Sequence, residues 1–394
     1  MIKNRLLIVL AILIPSIAFA QGVGVPLRSD TYHIIDRLEI KTGVPTPIYS
    51  SIKYYQRGDV AAYAMKVDTS LVGLSVKDRR DLYYIFKDNN DFLSSVKLKE
   101  EEGELNKVYV DSTKTFYTLE SNANVESDYY IETKKPFLRY FYRTPANAYE
   151  FSKKAFYFKV NPLLRGTVGV DQNDDKFLFD NQRGISLRGG IDQKVFFYTE
   201  ILEAQTQFPT YFRQRVERDK AVPAASLYKP YDSSVIDTEG AYDYLNAQGY
   251  VGFNISKHVG VQLGHGNNFL GNGYRSLFLS DFAANYFYLK LNTRVWRFHY
   301  QNIFAELNAE TGRSSPGDNL IPKKYFAAHY LTARITNNLY IGLFESVVFS
   351  RQNNFELQYL NPVILYRSVE HLLGSPDNVM IGADLKWNLF NRFQ

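Results

Sequence analysis

The hydrophobic residues of positions 29–95 recur at helical spacing. Tyr32, Ile35 and Leu38 follow one another at three-residue intervals, so their side chains would share one face of a helix. Gly43 comes directly after this segment, at the position where helix ends favour left-handed backbone. The pattern predicts an amphipathic helix that ends near Gly43.

Two further helices are expected in the same part of the chain. One begins at Asp59, and the other begins at Ser75, whose spacing to Asp78 resembles a capping box. Together these elements predict an N-terminal helical bundle over residues 21–95. The following residues, 96–135, are charged and rich in turn formers, which indicates a connector with one short hairpin.

From about residue 136 the hydrophobic period changes to two, which is typical of strands. In residues 293–301, Trp296, Phe298 and Tyr300 occupy one parity, while Arg297, His299 and Gln301 occupy the other. Similar alternation occurs in residues 155–160, 195–202, 286–291, 325–335 and 339–348. Turns are expected at Asn161-Pro162, Gly189-Gly190 and Asn337-Asn338. Residues 136–394 have room for roughly twelve strands of the length found in membrane barrels.

Alternation by itself fits either a β-sandwich or a β-barrel, because both architectures have one apolar face on each strand. Strands of about ten residues, aromatic residues on the apolar parity and alternately long and short connections favour an antiparallel transmembrane β-barrel. The chain contains 31 Tyr and 28 Phe but only 2 Trp, and its aromatic content of 15% is typical of proteins with aromatic girdles. We therefore expect a mostly β protein with a barrel in residues 136–394.

The first twenty residues have the features of a secretory signal. Lys3 and Arg5 precede an apolar run that Pro15 interrupts, and Ala18-Phe19-Ala20 forms a cleavage site before Gln21. No other long apolar stretch follows, and the mean hydropathy is −0.29. These observations predict a cleaved signal peptide over residues 1–20 and an outer-membrane location, and they exclude a helical inner-membrane protein.

The last residues follow a strand-like segment without the terminal aromatic residue that is common on bacterial barrels. We expect that the native protein continues past Gln394 and that the barrel of residues 136–394 is incomplete.

Composition and motifs give no indication of catalysis or cofactors. Cysteine is absent, so neither disulfides nor thiolate metal sites are expected. The net charge of +5 is not concentrated in basic runs, which gives no support to nucleic-acid binding. The six histidines lack metal-ligand spacing, and no G-x-S-x-G motif occurs. No catalytic residue, cofactor or metal is predicted, although a hydrolase built from distant residues remains a third hypothesis.

Three segments carry unusual loop chemistry. Residues 264–281 combine four glycines with three asparagines, lack a phosphate-loop ending, and predict an ordered loop in or over the lumen. Within it, Arg275 and Asp281 are spaced so that they could pair. The longest connection, 208–247, and the turn-rich residues 361–378 are expected on the outer side.

These segments resemble the capsule assembly protein Wzi family. The likeness lies in residues 264–281, the strand at Trp296, residues 361–385 and the start of the chain at Val25-Pro26-Leu27 with its helix. The resemblance implies an outer-membrane barrel with more strands than this chain supplies, a helical bundle at its periplasmic end and a surface that holds capsular polysaccharide. It implies no catalytic residues.

The leading hypothesis is a non-enzymatic surface protein that binds and organises exported capsular or extracellular polysaccharide. Sugar binding requires aromatic platforms beside forked donors such as arginine. The predicted contacts are Tyr211, Arg213, Arg215, Tyr228, Tyr231, Arg275, Asp281, Arg367 and His371. Outer-membrane lipid is the second expected partner, and the sequence leaves open whether an export complex also binds. A diffusion channel or transporter is the alternative.

Overall fold

The structure, a computed structural model, describes residues 22–70, 73–92, 106–110, 117–121, 133, 137–153, 156–172, 176–192, 194–225, 227–233, 240–308, 322–351 and 354–393. These residues form five α-helices, two short 3-10 helices and fourteen strands. The fold is mostly β, as expected. The predicted signal peptide, most of the connector and Gln394 lie outside the described residues. No described helix is long and apolar enough to cross a membrane.

Three helices follow one another near the start of the described chain. Their bounds are Thr31–Thr42 (α1), Arg57–Asp68 (α2) and Val76–Asp88 (α3). Helix α1 ends at Gly43, whose φ of 64° is left-handed, and helix α3 begins with the expected capping box of Ser75 and Asp78. All three pack around one core, which includes Ile35, Leu38, Val60, Tyr63, Ala64, Leu82, Ile85 and Phe86.

Twelve strands form one antiparallel sheet, within the length that has room for roughly twelve strands. They are Tyr149–Lys153 (β3), Phe156–Val170 (β4), Phe177–Ile191 (β5), Val195–Gln207 (β6), Lys229–Tyr231 (β7), Ala241–Asn254 (β8), Val259–Gly266 (β9), Tyr286–Val295 (β10), Phe298–Asn308 (β11), Lys323–Arg334 (β12), Leu339–Phe349 (β13) and Asn378–Trp387 (β14). Each strand pairs with the strand that precedes it and the strand that follows it in the chain, with one exception. Strand β6 pairs with β8, and the short β7 pairs only with β8. Strands β3 and β14 are the two edges of the sheet within the described residues. A separate hairpin joins Asn106–Val110 (β1) and Tyr117–Ser121 (β2).

The connections between strands differ at the two ends of the sheet. At one end, called the short-turn end, strands are joined by residues 192–194, 255–258, 296–297 and 335–338. At the other end, called the long-loop end, they are joined by residues 171–176, 208–240, 267–285, 309–322 and 350–377. The predicted alternation of long and short connections is therefore present.

The two faces of the sheet differ in chemistry. The inner face packs against the N-terminal segment, residues 22–92, through contacts such as the hydrogen bond from the Gly24 amide to the Tyr250 hydroxyl, 2.9 Å. It combines an aromatic and aliphatic cluster, which includes Tyr288, Ile303, Phe326 and Phe344, with polar and charged side chains, including Lys159, Arg188, Glu200, Gln262, Lys290, Asn292, His299, Gln301 and Lys386. The outer face, formed by the alternate residues, exposes Ile185, Ile201, Leu245, Phe253, Leu263, Phe287, Phe298, Ile341, Leu343, Ile381 and Leu385.

The connection between β13 and β14 returns over the outer face. Residues 354–377, which we call the outer cover, contain a short 3-10 helix and helix α5, Tyr366–Leu373. Buried side chains of the outer cover pack on outer-face residues of β11, β12 and β13 in one cluster, which contains Tyr359, Tyr366 and Val369 together with Phe304, Tyr325, Ala327, Val347 and Phe349.

Two of the three predicted turns were wrong. Asn161-Pro162 lies inside β4, and Gly189-Gly190 lies inside β5, whereas Asn337-Asn338 forms the expected turn. Pro162 fits within a strand because β3 pairs with β4 only as far as Val160, so among the described strands this part of β4 has no partner on that side.

The expected continuous strand over residues 293–301 was also wrong. A two-residue turn, Trp296-Arg297, divides it into the ends of β10 and β11. Trp296 has a φ of 53°, and both Trp296 and Arg297 are exposed at the short-turn end. Beyond the turn the two parities lie on opposite faces of the sheet, as alternation predicts. Phe298 is exposed on the outer face, and His299 is buried on the inner face.

A polar cavity on the inner face of the sheet

A cavity lies between the N-terminal segment and strands β4, β5, β6 and β8. Its volume is about 720 Å³. Most of the inner face of β9 to β14 is covered instead by the N-terminal segment and by residues 267–285, which contact each other through a bridge between Ile52 and Leu270. The free part of the inner face is therefore confined to the first half of the sheet.

Strand register brings the cavity side chains into rows across four strands. From the short-turn end upward, the rows are Lys159, Arg188, Tyr198 and Tyr250; then Asn161, Ser186, Glu200 and Gln248; then Leu163, Gly184, Leu202 and Asn246; then Arg165, Gln182, Ala204 and Tyr244. Residues directly opposite on antiparallel strands have neighbouring side chains. The result is a wall of amides and charged groups with tyrosines along β6 and β8.

Small side chains lie at two positions of this wall, Ser186 on β5 and Ala204 on β6, and both line the cavity. Ala204 is directly opposite Gln182, which neighbours Arg165 on β4. A ligand chain resting at Ala204, a position that we call the recess, would therefore contact the donors of Arg165 and Gln182.

The N-terminal segment forms the opposite wall of the cavity, and its hydrogen bonds hold charged side chains in place. The Arg57 guanidinium donates to the Asp88 carboxylate and to the Asp88 carbonyl oxygen, both at 2.9 Å. The Arg188 guanidinium donates to the same carbonyl oxygen at 3.2 Å. These bonds attach the end of α3 to strand β5 and hold two arginines at the short-turn end of the cavity.

Other side chains of the cavity are oriented by hydrogen bonds. The Glu200 carboxylate accepts from the Tyr198 hydroxyl at 2.6 Å and from the Gln248 amide at 3.0 Å. The Asn285 amide donates to the Asn246 side chain at 2.7 Å. Arg165, by contrast, is exposed in the cavity. This set of oriented amides, an exposed guanidinium and tyrosine rings is suited to a polyhydroxylated ligand, since hydroxyls both donate and accept and sugar rings pack on aromatic faces.

Among the residues that the structure describes, neither histidines nor a cluster of metal ligands contributes to the cavity. No group of three potential ligands there could hold a metal ion. All six histidines are described, and none of them lines this cavity. Its chemistry is that of hydrogen bonding, ion pairing and ring contact.

Several predicted contact residues lie near the long-loop end of the cavity. Helix α4, Thr210–Asp219, carries Tyr211, Arg213 and Arg215. The Arg215 guanidinium lies 5.5 Å from the ring centre of Phe282, and the adjacent Asp281 lines the cavity. The structure thus brings α4 and Asp281 to one rim.

The predicted pairing of Arg275 with Asp281 was wrong. Asp281 pairs with Arg28 at 3.6 Å, while the Arg275 guanidinium lies over the ring of Tyr274. The predicted inward course of this loop is present, since the Phe278 ring stacks on Phe344 of the inner face at 4.8 Å.

The remaining predicted residues are dispersed. The Tyr228 ring packs on Tyr242 at 5.0 Å, and Tyr231 lies in β7, 6.3 Å from the ring of Phe179. Arg367 and His371 belong to α5 and are exposed on the outer cover, across the sheet from the cavity. The nine predicted residues therefore do not form one site.

The cavity residues Arg165, Gln182, Asn246 and Gln248 were not predicted. Their signal in the sequence is weak, because each is a single polar residue on the inner parity of a long strand. Only the register of β4, β5, β6 and β8 shows that they converge.

Comparison of the chain with models of protein families, with characterised proteins and with solved structures gives no match in any of the three.

Proposed function

We propose that this protein resides in the outer membrane and binds exported capsular or extracellular polysaccharide, without catalysis, in the cavity on the inner face of its sheet. The observation that carries the proposal is the opposite chemistry of the two faces. Soluble sheets expose mainly polar side chains, whereas this sheet exposes large apolar side chains on its outer face and covers an inner face that combines an aromatic cluster with many polar and charged groups.

The distribution of charge on the outer face supports a membrane location. Two exposed outer-face ion pairs are Arg183 with Glu203 at 3.1 Å, near the middle of β5 and β6, and Glu306 with Lys323 at 3.1 Å, at the long-loop end of β11 and β12. Exposed apolar residues such as Phe298, Ile341 and Leu385 lie towards the short-turn end. An apolar surface with its charged pairs on the long-loop side supports one border of a lipid-facing band.

In such a membrane we propose that the sheet closes into a barrel. An unpaired strand edge in lipid leaves backbone donors and acceptors without partners, at a cost of several kcal/mol each. Closure would enclose the cavity and the N-terminal segment. Short turns beside α1–α3 and long loops at the opposite end support a periplasmic location for these helices, as the Wzi-family resemblance implies.

The chemistry of the cavity supports polysaccharide as the ligand. The recess at Ala204 has Gln182 and Arg165 on one side and Tyr244 on the other, which combines an amide, a forked donor and a ring. The rim formed by α4 and Asp281 extends this surface towards the long loops. A glycan chain that enters from the long-loop end would meet the rim first and the recess next.

The test uses Arg165→Ala together with a matched variant on the neighbouring strand, Arg183→Ala. Arg183 adjoins Gln182 in the sequence but lies on the outer face, paired with Glu203. In a strain that relies on this protein, Arg165→Ala is expected to reduce polysaccharide retained at the cell surface, and Arg183→Ala to leave it unchanged, at equal amounts of inserted protein. Equal retention by both variants would contradict the proposal, as would shortening of purified polysaccharide by the parent protein.

A further inference from the structure

The outer cover is apolar on both of its sides. Its side towards the sheet packs Tyr359, Tyr366 and Val369 into the outer-face cluster and also meets a row of polar side chains. Its side away from the sheet exposes aliphatic side chains. Both observations concern residues that the proposed polysaccharide site does not use.

A polar row lies beneath the outer cover, in the middle of the outer face. Asn302, His329 and Glu345 are direct neighbours on β11, β12 and β13. The His329 Nε2 atom lies 2.8 Å from the Glu345 carboxylate. Apolar or aromatic rows flank this row on both sides: Tyr300, Leu331 and Leu343 on one side, and Phe304, Ala327 and Val347 on the other.

The outer cover provides partners for this row. The Asn302 side-chain amide donates to the Pro362 carbonyl oxygen at 3.2 Å. The Arg367 backbone amide donates to the Glu345 carboxylate at 3.0 Å. The Tyr366 ring stacks on the His329 imidazole with centroids 4.3 Å apart. The polar row is thereby buried, as its desolvation requires.

On its far side the outer cover exposes five aliphatic side chains. They are Leu357, Leu360, Val363, Leu365 and Leu372. The patch continues the exposed apolar surface of the sheet, where Leu343 and Ile381 lie on β13 and β14. Arg367 and His371 are exposed among these aliphatic residues. Aliphatic side chains mixed with a few cationic ones are typical of segments at the boundary between acyl chains and headgroups.

We infer that the outer cover lies in the outer leaflet of the membrane, with its five exposed aliphatic residues in contact with lipid acyl chains. The outer cover separates the polar row of Asn302, His329 and Glu345 from lipid, and it presents an apolar surface to the lipid instead. The inference rests on the membrane location in the proposed function. Lipid is the occupant because the patch is continuous with the apolar outer face and because covering a polar row is needed only where water is absent.

The experiment places a fluorescent label at single cysteines, which is direct because the chain has no cysteine. Val363→Cys and Leu372→Cys report on the outer cover, Leu343→Cys on the sheet surface and Tyr211→Cys on exposed helix α4. The full protein is reconstituted in phosphatidylcholine vesicles, with or without phosphatidylcholine that carries a nitroxide on its acyl chain. Aqueous iodide is the second quencher.

We expect nitroxide lipid to reduce the fluorescence at positions 363, 372 and 343, and iodide to reduce it at position 211 only. Quenching by iodide at 363 and 372, with lipid quenching retained at 343, would overturn the inference and leave the membrane location intact. Iodide quenching at 343 as well would overturn the membrane location. Protection from both quenchers at 363 and 372, with crosslinking between copies, would show a protein partner and would also overturn the inference.

Discussion

The Glu39 carboxylate of helix α1 lies 2.6 Å from the Lys386 ammonium of strand β14, and both side chains are buried. The two residues are 347 positions apart in the sequence, so the pair joins the N-terminal helices to the last described strand. Burial raises the pKa of the Glu39 carboxyl above its ordinary value, and the Lys386 charge opposes this rise. A second pair, Arg294 with Asp59 at 2.7 Å, joins α2 to β10 in the same way.

Removal of one member of the buried pair is expected to weaken the attachment of α1. Lys386→Met would leave the Glu39 carboxylate buried without its counterion, at a cost of about 3–5 kcal/mol. The measurement is equilibrium unfolding of the purified protein in detergent, together with protease protection of residues 22–92.

The double variant Glu39→Leu with Lys386→Met is the control. It removes both charges, so it is expected to recover most of the lost stability. A double variant as unstable as Lys386→Met alone would show that the ion pair is not the reason for the loss.

The capping box of α3 predicts a pH dependence. Burial alone would raise the pKa of the Asp78 carboxyl, but hydrogen bonds from Lys41, Ser75 and Arg37 lower it well below its ordinary value. A carboxyl whose pKa is lowered by folding stabilises the fold above its unfolded pKa, about 4, and this contribution is lost as the pH falls towards the folded pKa. Acid should therefore destabilise α3.

Asp78→Ala is expected to lower stability at neutral pH by about 0.5–2 kcal/mol, the range for lost helix caps, and to weaken the acid dependence. Asp81→Ala, which removes only a pair with Arg37, is the matched control and should have a smaller effect. Urea unfolding followed by helical circular dichroism at neutral and acidic pH gives the comparison. Equal pH dependence in the parent and Asp78→Ala would assign the acid sensitivity to another group.

The proposed contact between the outer face and lipid is tested by placing a charged side chain among the exposed apolar residues of that face. Leu343 is exposed near the middle of β13, and Leu343→Arg should destabilise the protein in a bilayer by about 2–4 kcal/mol. Leu277→Arg, at an exposed position in the loop between β9 and β10, should have little effect. Unfolding is compared in lipid vesicles. Similar stability of the two variants would argue that the outer face does not meet lipid.

The alternative function, a diffusion channel or transporter, is tested by planar-bilayer conductance. The N-terminal segment packs along the inner face through Glu39, Asp59 and the Ile52–Leu270 bridge, so we expect no steady open channel from the parent protein. A persistent open state with the N-terminal segment attached would favour the channel.

Much of the sheet could be predicted from the sequence because most of its strands carry a period of two. In β13 the outer parity is apolar except for Glu345, which is the pattern of a sheet with unlike faces. The prediction from sequence was wrong at Gly189, which suggested a turn but lies within β5. A glycine fits this strand position because a Cβ atom there would lie 2.4 Å from the Phe197 ring.

The cavity and the outer cover could not be predicted, because both depend on contacts between distant residues. Arg165 and Tyr244 share a row only through the registers of β4, β5, β6 and β8. Arg367 and His371 were expected in a turn-rich outer loop, but they lie in helix α5, and nothing local shows that α5 packs on the outer face through Tyr366 and Val369. Loop composition indicates exposure and does not indicate which face a loop covers.

The most direct test of the account is the binding of purified polysaccharide to the protein reconstituted in lipid vesicles. We expect saturable binding by the parent protein, binding that is about tenfold weaker for Arg165→Ala, equivalent to roughly 1.4 kcal/mol, and unchanged binding for Arg183→Ala. No binding by the parent, or equal binding by Arg165→Ala and the parent, would contradict a polysaccharide site in the inner-face cavity.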